Sequence, residues 1–304
     1  MQDNRISIAV VIPTLGRPAL AFAVQSALAQ TYPPDEVIVV DASKEGTAKD
    51  FIDDRSRVTI IRPEALSNSG LWTAAHNRNI GIQYSTSDYI ALLDDDDEWL
   101  PRKLETQVQY IERYPNSIVS CAAKYRLQNG LSYSRPRRCL KPSQNILEAL
   151  YGKSRLLPLP YYIATPSLLV PAIGAKSIPI NEELPGFEDT WWLHKLQCAG
   201  YKIHQLKETL IVVNAEPLRS ISRDSLEKNN AWAKTIGTVK SKYAINYLLG
   251  LSMRNATTLG RTSDIRFLYT AAGQIDKINP ILKLRTSFFL MISFVIHRSR
   301  VGRT

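Results

Sequence analysis

Asp94-Asp95-Asp96-Asp97-Glu98 places five acidic side chains in a row directly behind Tyr89 to Leu93, an apolar run that reads as a buried strand. Carboxylates crowded together raise one another's pKa, so such a cluster is costly unless a cation or an arginine neutralises it. Hard oxygen donors suit a divalent cation, and in open α/β sheets ligands bind just outside the carboxyl ends of strands. A solvated acidic loop is the plain alternative; the position behind a buried strand favours chemistry. An EF-hand register would put Asp94, Asp96, Glu98 and Glu105 at the first, third, fifth and twelfth loop positions. It fails because Trp99 stands where the loop requires glycine and Pro101 interrupts the loop two residues later.

The elements that must position this run alternate. Ile6 to Ile12 is apolar and β-branched and stops at Pro13, and Pro18 to Gln30, rich in Ala and Leu, reads as helix. Val37 to Val40 is a second strand ending at Asp41, Glu45 to Asp54 a helix, Val58 to Ile61 a third strand and Ser69 to Tyr84 another helix. This alternation predicts a parallel sheet whose right-handed crossovers bring Thr14, Asp41 and Asp94 to Asp97 to one edge. Pro101 suits the first turn of a helix over Arg102 to Arg113. Past Tyr114-Pro115, strand-like pieces at Ile118 to Tyr125, Tyr161 to Ala164 and Ser167 to Val170 alternate with basic, proline-bearing loops and predict a second wall where an acceptor binds. A helix over Trp191 to Ala199 ends at Gly200, Lys202 to Val213 is extended, and the chain beyond Glu216 reads as mostly helical.

Hydrophobic content of 44% and the lack of repeats fit a globular protein. Three cysteines, without metal spacing, argue against a disulfide framework and for a reducing cytoplasm, and the polar Met1 to Ser7 does not read as a secretory signal. His76, His194 and His204 also lack metal spacing. The net charge of +10 is a tail property: residues 240–304 hold 11 Lys and Arg against 2 Asp and Glu. Phe288 to Ile296 is apolar, but a spanning helix needs about 20 such residues. The basic stretch 281–304 is suited to an anionic membrane surface or to packing on its own domain. Nucleic acid is not an expected partner, because no recognition motif accompanies the charge.

Val10-Val11-Ile12-Pro13-Thr14, Val39-Val40-Asp41-Ala42-Ser43, Arg78-Asn79-Ile80-Gly81-Ile82 and Leu93-Asp94-Asp95-Asp96-Asp97 together resemble the family 2 glycosyltransferases in order and spacing, over roughly residues 6–215. The resemblance implies the α/β GT-A fold, a mainly parallel Rossmann-like sheet flanked by helices. Its expected domain would be 1–216, with a nucleotide-sugar half at 1–115 and an acceptor half at 116–216, followed by a mostly helical basic extension at 217–304. It also implies inverting transfer from a UDP-, GDP- or dTDP-sugar to a hydroxyl of a glycan or lipid-linked glycan, dependent on Mn²⁺ or Mg²⁺.

By that resemblance, Pro13, Thr14, Arg17, Asp41, Ser43, Arg78, Asn79, Asp94 and Asp95 line the donor pocket, and Asp94 and Asp96 address the cation. Asp189 is the expected base, with Glu188, Trp191 and Trp192 on the acceptor side, and Arg219 or Arg223 meets the diphosphate from a closing loop. Other readings stand beside these: Asp41-Ala42-Ser43 can cap a helix, and Glu188-Asp189 can complement a helix dipole. Four consecutive aspartates leave the register of the Asp-x-Asp element open. The chain lacks a Gln-x-x-Arg-Trp element after Asp189, which points to single addition over processive synthesis. A sugar nucleotidyltransferase would carry a glycine-rich loop after the first strand, whereas Pro13-Thr14-Leu15-Gly16-Arg17 has one glycine. A glycan- or nucleotide-sugar-binding protein of the same fold without turnover is the remaining alternative. The expected location is cytoplasmic, peripheral at the inner membrane face.

Overall fold

Seven consecutive residues, Ile8–Thr14, are buried on both faces of the first strand, β1, as an interior strand of a covered parallel sheet must be. The computed structural model describes residues 5–63, 73–153, 161–215, 226–252 and 262–275. After β1 come α1 (Leu20–Leu28), β2 (Glu36–Asp41), β3 (Thr59–Ile61), α2 (Ala74–Tyr84) and β4 (Tyr89–Leu92). β1 pairs in parallel with β2 and β4, with Thr14 opposite Asp41 and Val11 opposite Leu92. The ends of these strands therefore share one edge, and the acidic run leaves β4 at that edge. Helix α2 lies close on the sheet: a Cβ on Gly81 would come within 2.4 Å of Val11 Cγ1.

The chain continues through β5 (Glu98–Trp99), α3 (Lys103–Arg113), β6 (Ile118–Leu127), β7 (Ser132–Arg135), α4 (Ile146–Tyr151), β8 (Leu169–Pro171), α5 (Ala172–Ser177), α6 (Glu188–Cys198) and β9 (Ile203–Ala215). The sheet order is β3-β2-β1-β4-β8-β6-β9-β5, with β7 on β6. β8 runs antiparallel to both β4 and β6, and β9 parallel to β6. The carboxyl ends of β6 and β9 thus return to the edge that carries the acidic run. A buried polar knot fixes this half: Gln107 Nε2 donates to the carbonyls of Val119 (3.1 Å) and Ser167 (2.8 Å), and Lys103 Nζ donates to Gln107 Oε1 at 2.9 Å. Lys103, fully buried, lies 3.8 Å from the Trp99 ring centroid, and Trp99 Nε1 donates to Pro166 O at 2.9 Å.

Two expected elements differ. Glu45 to Asp54 is not an α-helix but yields a 3₁₀ turn at Thr47–Phe51, because Gly46 is left-handed at φ 69° and Asp41 takes the Ala48 N–H from across the loop. Tyr161 to Ala164 is not a strand: it is irregular chain leading into a 3₁₀ turn at Thr165–Ser167, where Pro166 has no N–H to offer a ladder. β6 in turn extends past Tyr125 to Leu127 and forms a hairpin with β7.

The chain divides into two compact units, the first Met1–Gln144, Pro160–Glu183 and Glu188–Ala215, the second Asn145–Leu159, Leu184–Phe187 and Glu216–Thr304. In the second unit α4 is joined by α7 (Leu226–Gly237), α8 (Ser241–Asn246), a π-helical turn at Tyr247–Ser252 and α9 (Thr262–Ile275). Its core is aromatic: Phe187 stacks on Trp232 at 5.2 Å, and Tyr151 meets both Trp232 and Tyr247 edge-on. Among the described residues no helix is long and apolar enough to cross a membrane. Arg219, Arg223 and the basic stretch 281–304 lie outside the described residues.

Candidate functional site

The end of β1 meets the acidic run directly. Thr14 Oγ1 donates to Asp95 Oδ2 at 2.6 Å and accepts the Gly16 N–H at 2.9 Å. Arg17 grips the same carboxylate with two nitrogens, Nε to Oδ2 at 3.1 Å and Nη2 to Oδ1, and reaches Asp96 with Nη1 at 3.2 Å. Asp95 is 2% exposed, so this fork and the threonine hydroxyl replace the water it has lost. Pro13 is buried in β1. Asp41 is spent locally: its two oxygens accept the N–H groups of Ser43 (2.9 Å) and Ala48 (3.1 Å), while Ser43 Oγ accepts that of Thr47 at 2.9 Å. These two residues shape the loop facing Gly16.

Arg78, 5% exposed on α2, joins two distant acidic segments. Nη2 donates to Asp94 Oδ1 at 2.5 Å and Nη1 to Glu188 Oε1 at 3.5 Å, while the buried Nε has no partner among the described residues. Burial is the largest influence on this guanidinium and opposes its charge, but Asp94 and then Glu188 outweigh it and hold the pKa above the ordinary value. Asn79, its neighbour, clamps the segment before α6: Nδ2 donates to Ile180 O and Glu182 Oε1, both at 2.8 Å, and Oδ1 accepts the Ile180 N–H at 2.9 Å.

The other two aspartates carry the strain of the cluster. Asp97 accepts the Asn214 N–H at 3.0 Å, yet burial first and then the charges of Asp94 and Asp96 push its carboxyl up to about 8. Asp96 is also raised, by burial and by Asp94 and Asp95, with Arg17 opposing, and its side chain is 44% exposed. Among the described residues no group of three or more His, Cys, Asp or Glu side chains is arranged to hold a metal ion. The donor set nonetheless fits a hard cation of the Mg²⁺ type, which takes one or two carboxylates and completes its shell with water and ligand phosphate. Asp96 offers an accessible carboxylate, and a cation there would relieve the repulsion that raises Asp96 and Asp97.

The second acidic site opens α6, where Glu188 and Asp189 fill the first turn. Thr165 Oγ1 donates to Asp189 Oδ2 at 2.9 Å, and the Thr190 N–H to Oδ1 at 2.5 Å. Glu188 is raised, by burial and by Asp189, with Arg78 opposing. Trp192 is a core residue, 1% exposed, with Nε1 donating to Ile178 O at 2.6 Å, whereas Trp191 is half-buried with its ring 5.3 Å from that of His194. Thr165 and Asn214 carry no signal in the sequence because neither belongs to a recognisable motif. The tyrosines Tyr125 and Tyr133 do leave one, since Asn129-Gly130 between two β-rich runs marks a hairpin.

A mainly parallel sheet with flanking helices, its strand ends gathered at one edge, is the GT-A fold. The structure resembles the mannosyltransferase PcManGT from Pyrobaculum calidifontis, solved in complex with GDP-Man and Mn²⁺, with a TM-score of 0.58 over 96% of this chain and 87% of that one at 18% identity. Residues 9–169 match the model of glycosyl transferase family 2, and the chain belongs to that family. An uncharacterised glycosyltransferase of Rickettsia prowazekii is 30% identical over 187 residues, 60% of this chain but only 56% of that protein. WfaP of Escherichia coli, named as a UDP-Glc:α-D-GlcNAc-diphosphoundecaprenol β-1,3-glucosyltransferase, is 35% identical over 89 residues, 29% of this chain and 34% of its own.

Proposed function

We propose that the protein is a glycosyltransferase that moves one sugar, with inversion, from a nucleoside-diphosphate sugar to a hydroxyl of a lipid-linked glycan at the cytoplasmic face of a membrane. The observation that carries the reading is the Arg78 bridge, at 2.5 Å from Asp94 and 3.5 Å from Glu188, because it ties the acidic run to the carboxylate pair that contains Asp189. Asp189 takes the acceptor hydroxyl proton as that oxygen bonds to the anomeric carbon. The bond from that carbon to the diphosphate breaks on the opposite face, and its electron pair leaves with the nucleoside diphosphate.

Thr165 orients Asp189 through Oδ2. Arg17 and Arg78 keep Asp94 and Asp95 neutralised, so that an anionic donor meets a balanced site instead of four bare carboxylates. Asp96, with Asp94, would hold a divalent cation, which supplies charge neutralisation for the departing diphosphate when bound. The name of WfaP supports a diphosphate-linked acceptor, and the basic composition of residues 281–304 supports attraction to an anionic leaflet.

Purified protein with UDP-glucose or GDP-mannose and Mn²⁺ should release nucleoside diphosphate at a rate that EDTA abolishes. Asp96→Ala should lose that release and Asp189→Asn should lose transfer to an acceptor. Release at the wild-type rate in Asp96→Ala, or in EDTA, would refute the cation assignment.

A further inference from the structure

We infer that three tyrosines beside Asp189 form a shelf for the acceptor's sugar ring, and that Arg135 at its rim receives a phosphate carried by the same acceptor; this rests on the transferase reading above.

The shelf follows from strand register. Tyr125 on β6 stands opposite Tyr133 on β7, and directly opposed residues on one face of an antiparallel pair come into contact. Their rings stack at 5.1 Å with 8° between planes, and Tyr162 meets Tyr125 edge-on at 5.9 Å and 70°. Two of the three are open: Tyr133 is 42% and Tyr162 39% exposed, large aromatic faces with no apolar reason to be in water. Tyr125 is 7% exposed, and its hydroxyl faces that of Tyr162, so the pair ties the stacked rings to the third tyrosine.

The shelf belongs to the catalytic edge. Tyr162 precedes by three residues Thr165, the hydroxyl donor to Asp189. Burial pushes the Tyr162 hydroxyl up to about 12, opposed by a hydrogen bond from Tyr125 and reinforced by the negative charges of Asp189 and Asp97, and burial likewise raises Tyr125, with Tyr162 and Asp97 contributing. Both hydroxyls therefore stay protonated at working pH; with Tyr125 donating to the Tyr162 oxygen, the Tyr162 proton is the one that can go to a sugar oxygen next to the carboxylate that would take the acceptor proton. An aromatic face presents the flat apolar surface that the C–H face of a pyranose covers, while hydroxyl groups at its edge read the sugar's orientation.

Arg135 supplies the charge. Its Cζ lies 5.5 Å from the Tyr133 ring centroid, its field lowers the Tyr162 hydroxyl, and it forms no ion pair among the described residues. Arg126, by contrast, is committed to Glu98 at 3.0 Å and Asn214 at 3.3 Å. A half-buried guanidinium without a carboxylate partner among the described residues, beside a sugar-sized aromatic face, is suited to a phosphate on that sugar. The acceptor it selects is a glycosyl phosphate or diphosphate over a neutral glycan.

The test uses the full chain and calorimetry. UDP and GDP are first titrated with Mn²⁺; then, with the tighter nucleotide saturating, octyl α-glycosyl diphosphates of GlcNAc, GalNAc, glucose and galactose are titrated, beside the octyl glycosides that lack phosphate. Tyr133→Ala and Tyr162→Ala should each weaken the best diphosphate by about tenfold or more, and Tyr133→Phe should restore it. Arg135→Gln should weaken the diphosphate about tenfold and leave the phosphate-free glycoside within about twofold. Nucleotide affinity should hold in all of them. Acceptor affinities in the Tyr133→Ala protein equal to wild type, or no binding of any glycosyl diphosphate by a protein that binds nucleotide, would overturn the shelf and leave the transferase reading intact. A wild-type protein that binds neither nucleotide would overturn both. Tyr133 is exposed on a hairpin, so its replacement keeps the test meaningful even where Tyr162→Ala fails to fold.

Discussion

The two acidic sites hold negative charge in opposite ways. Asp94 to Asp97 are crowded, largely buried and countered by arginines, with Arg17 on Asp95 and Asp96 and Arg78 on Asp94. Asp189 is instead oriented by two hydroxyls, those of Thr165 and Thr190, and one backbone N–H. A crowded, half-neutralised cluster is matched to changing total charge, as when a diphosphate arrives and leaves. A single carboxylate fixed by neutral donors is matched to moving one proton along a defined direction.

The largest effect should come from breaking the second arrangement. Asp189→Asn keeps the shape but removes the base, and kcat for transfer should fall by about 10²–10⁴-fold with nucleotide affinity nearly unchanged. Equal losses in kcat and nucleotide affinity would mean that the two sites do not divide the labour as proposed. Next is the residue both share: Arg78→Met leaves Asp94 and Glu188 without their buried partner, and urea unfolding should show a loss of about 3–5 kcal/mol. Arg78→Lys should recover little of it, since one ammonium cannot reach two carboxylates in the manner of a fork.

A smaller effect concerns the wall behind the acceptor side. Burial depresses the Lys103 ammonium to about 7, so the folded protein binds fewer protons there than the unfolded chain from about pH 7 up to the ordinary lysine range. Stability then rises with pH across that window, by at most about 1.4 kcal/mol per pH unit, and is flat in this contribution below it. Urea midpoints at pH 7 and 9 should separate more for wild type than for Lys103→Met, and equal separations would show that Lys103 is not protonated on unfolding in the manner described. The smallest effect isolates orientation alone: Thr165→Val removes one hydrogen bond to Asp189, and kcat should drop about tenfold while the donor KM stays constant.

Much of the proposed donor side is legible in the sequence. Ile8–Thr14, Glu36–Asp41 and Tyr89–Leu92 are runs that only a buried parallel sheet accommodates, and parallel strands with right-handed crossovers have little choice but to end on one edge. The acceptor side is less so. Tyr161 to Ala164 has the β-rich look of a strand, but Pro166, two residues later, has no N–H to offer a ladder. The Glu45 to Asp54 helix is lost to a competing local bond, the Asp41 carboxylate reaching Ala48. Neither outcome is encoded in periodicity.

Sequence alone determined that an aspartate run, an Arg-Asn pair and a Glu-Asp pair would be present and that the first would sit at a strand end. The tertiary structure decided which aspartate does what. Asp95 turns to Thr14 and Arg17, Asp94 to Arg78 and Asp97 to Asn214, which leaves Asp96, 44% exposed, as the most open carboxylate among Asp94 to Asp97. Four identical side chains have identical chemistry, so only the direction in which the turn after β4 aims each one can tell them apart. The same holds for Arg78 and Glu188, which lie 110 residues apart and become neighbours only when α2 and α6 reach the same sheet edge.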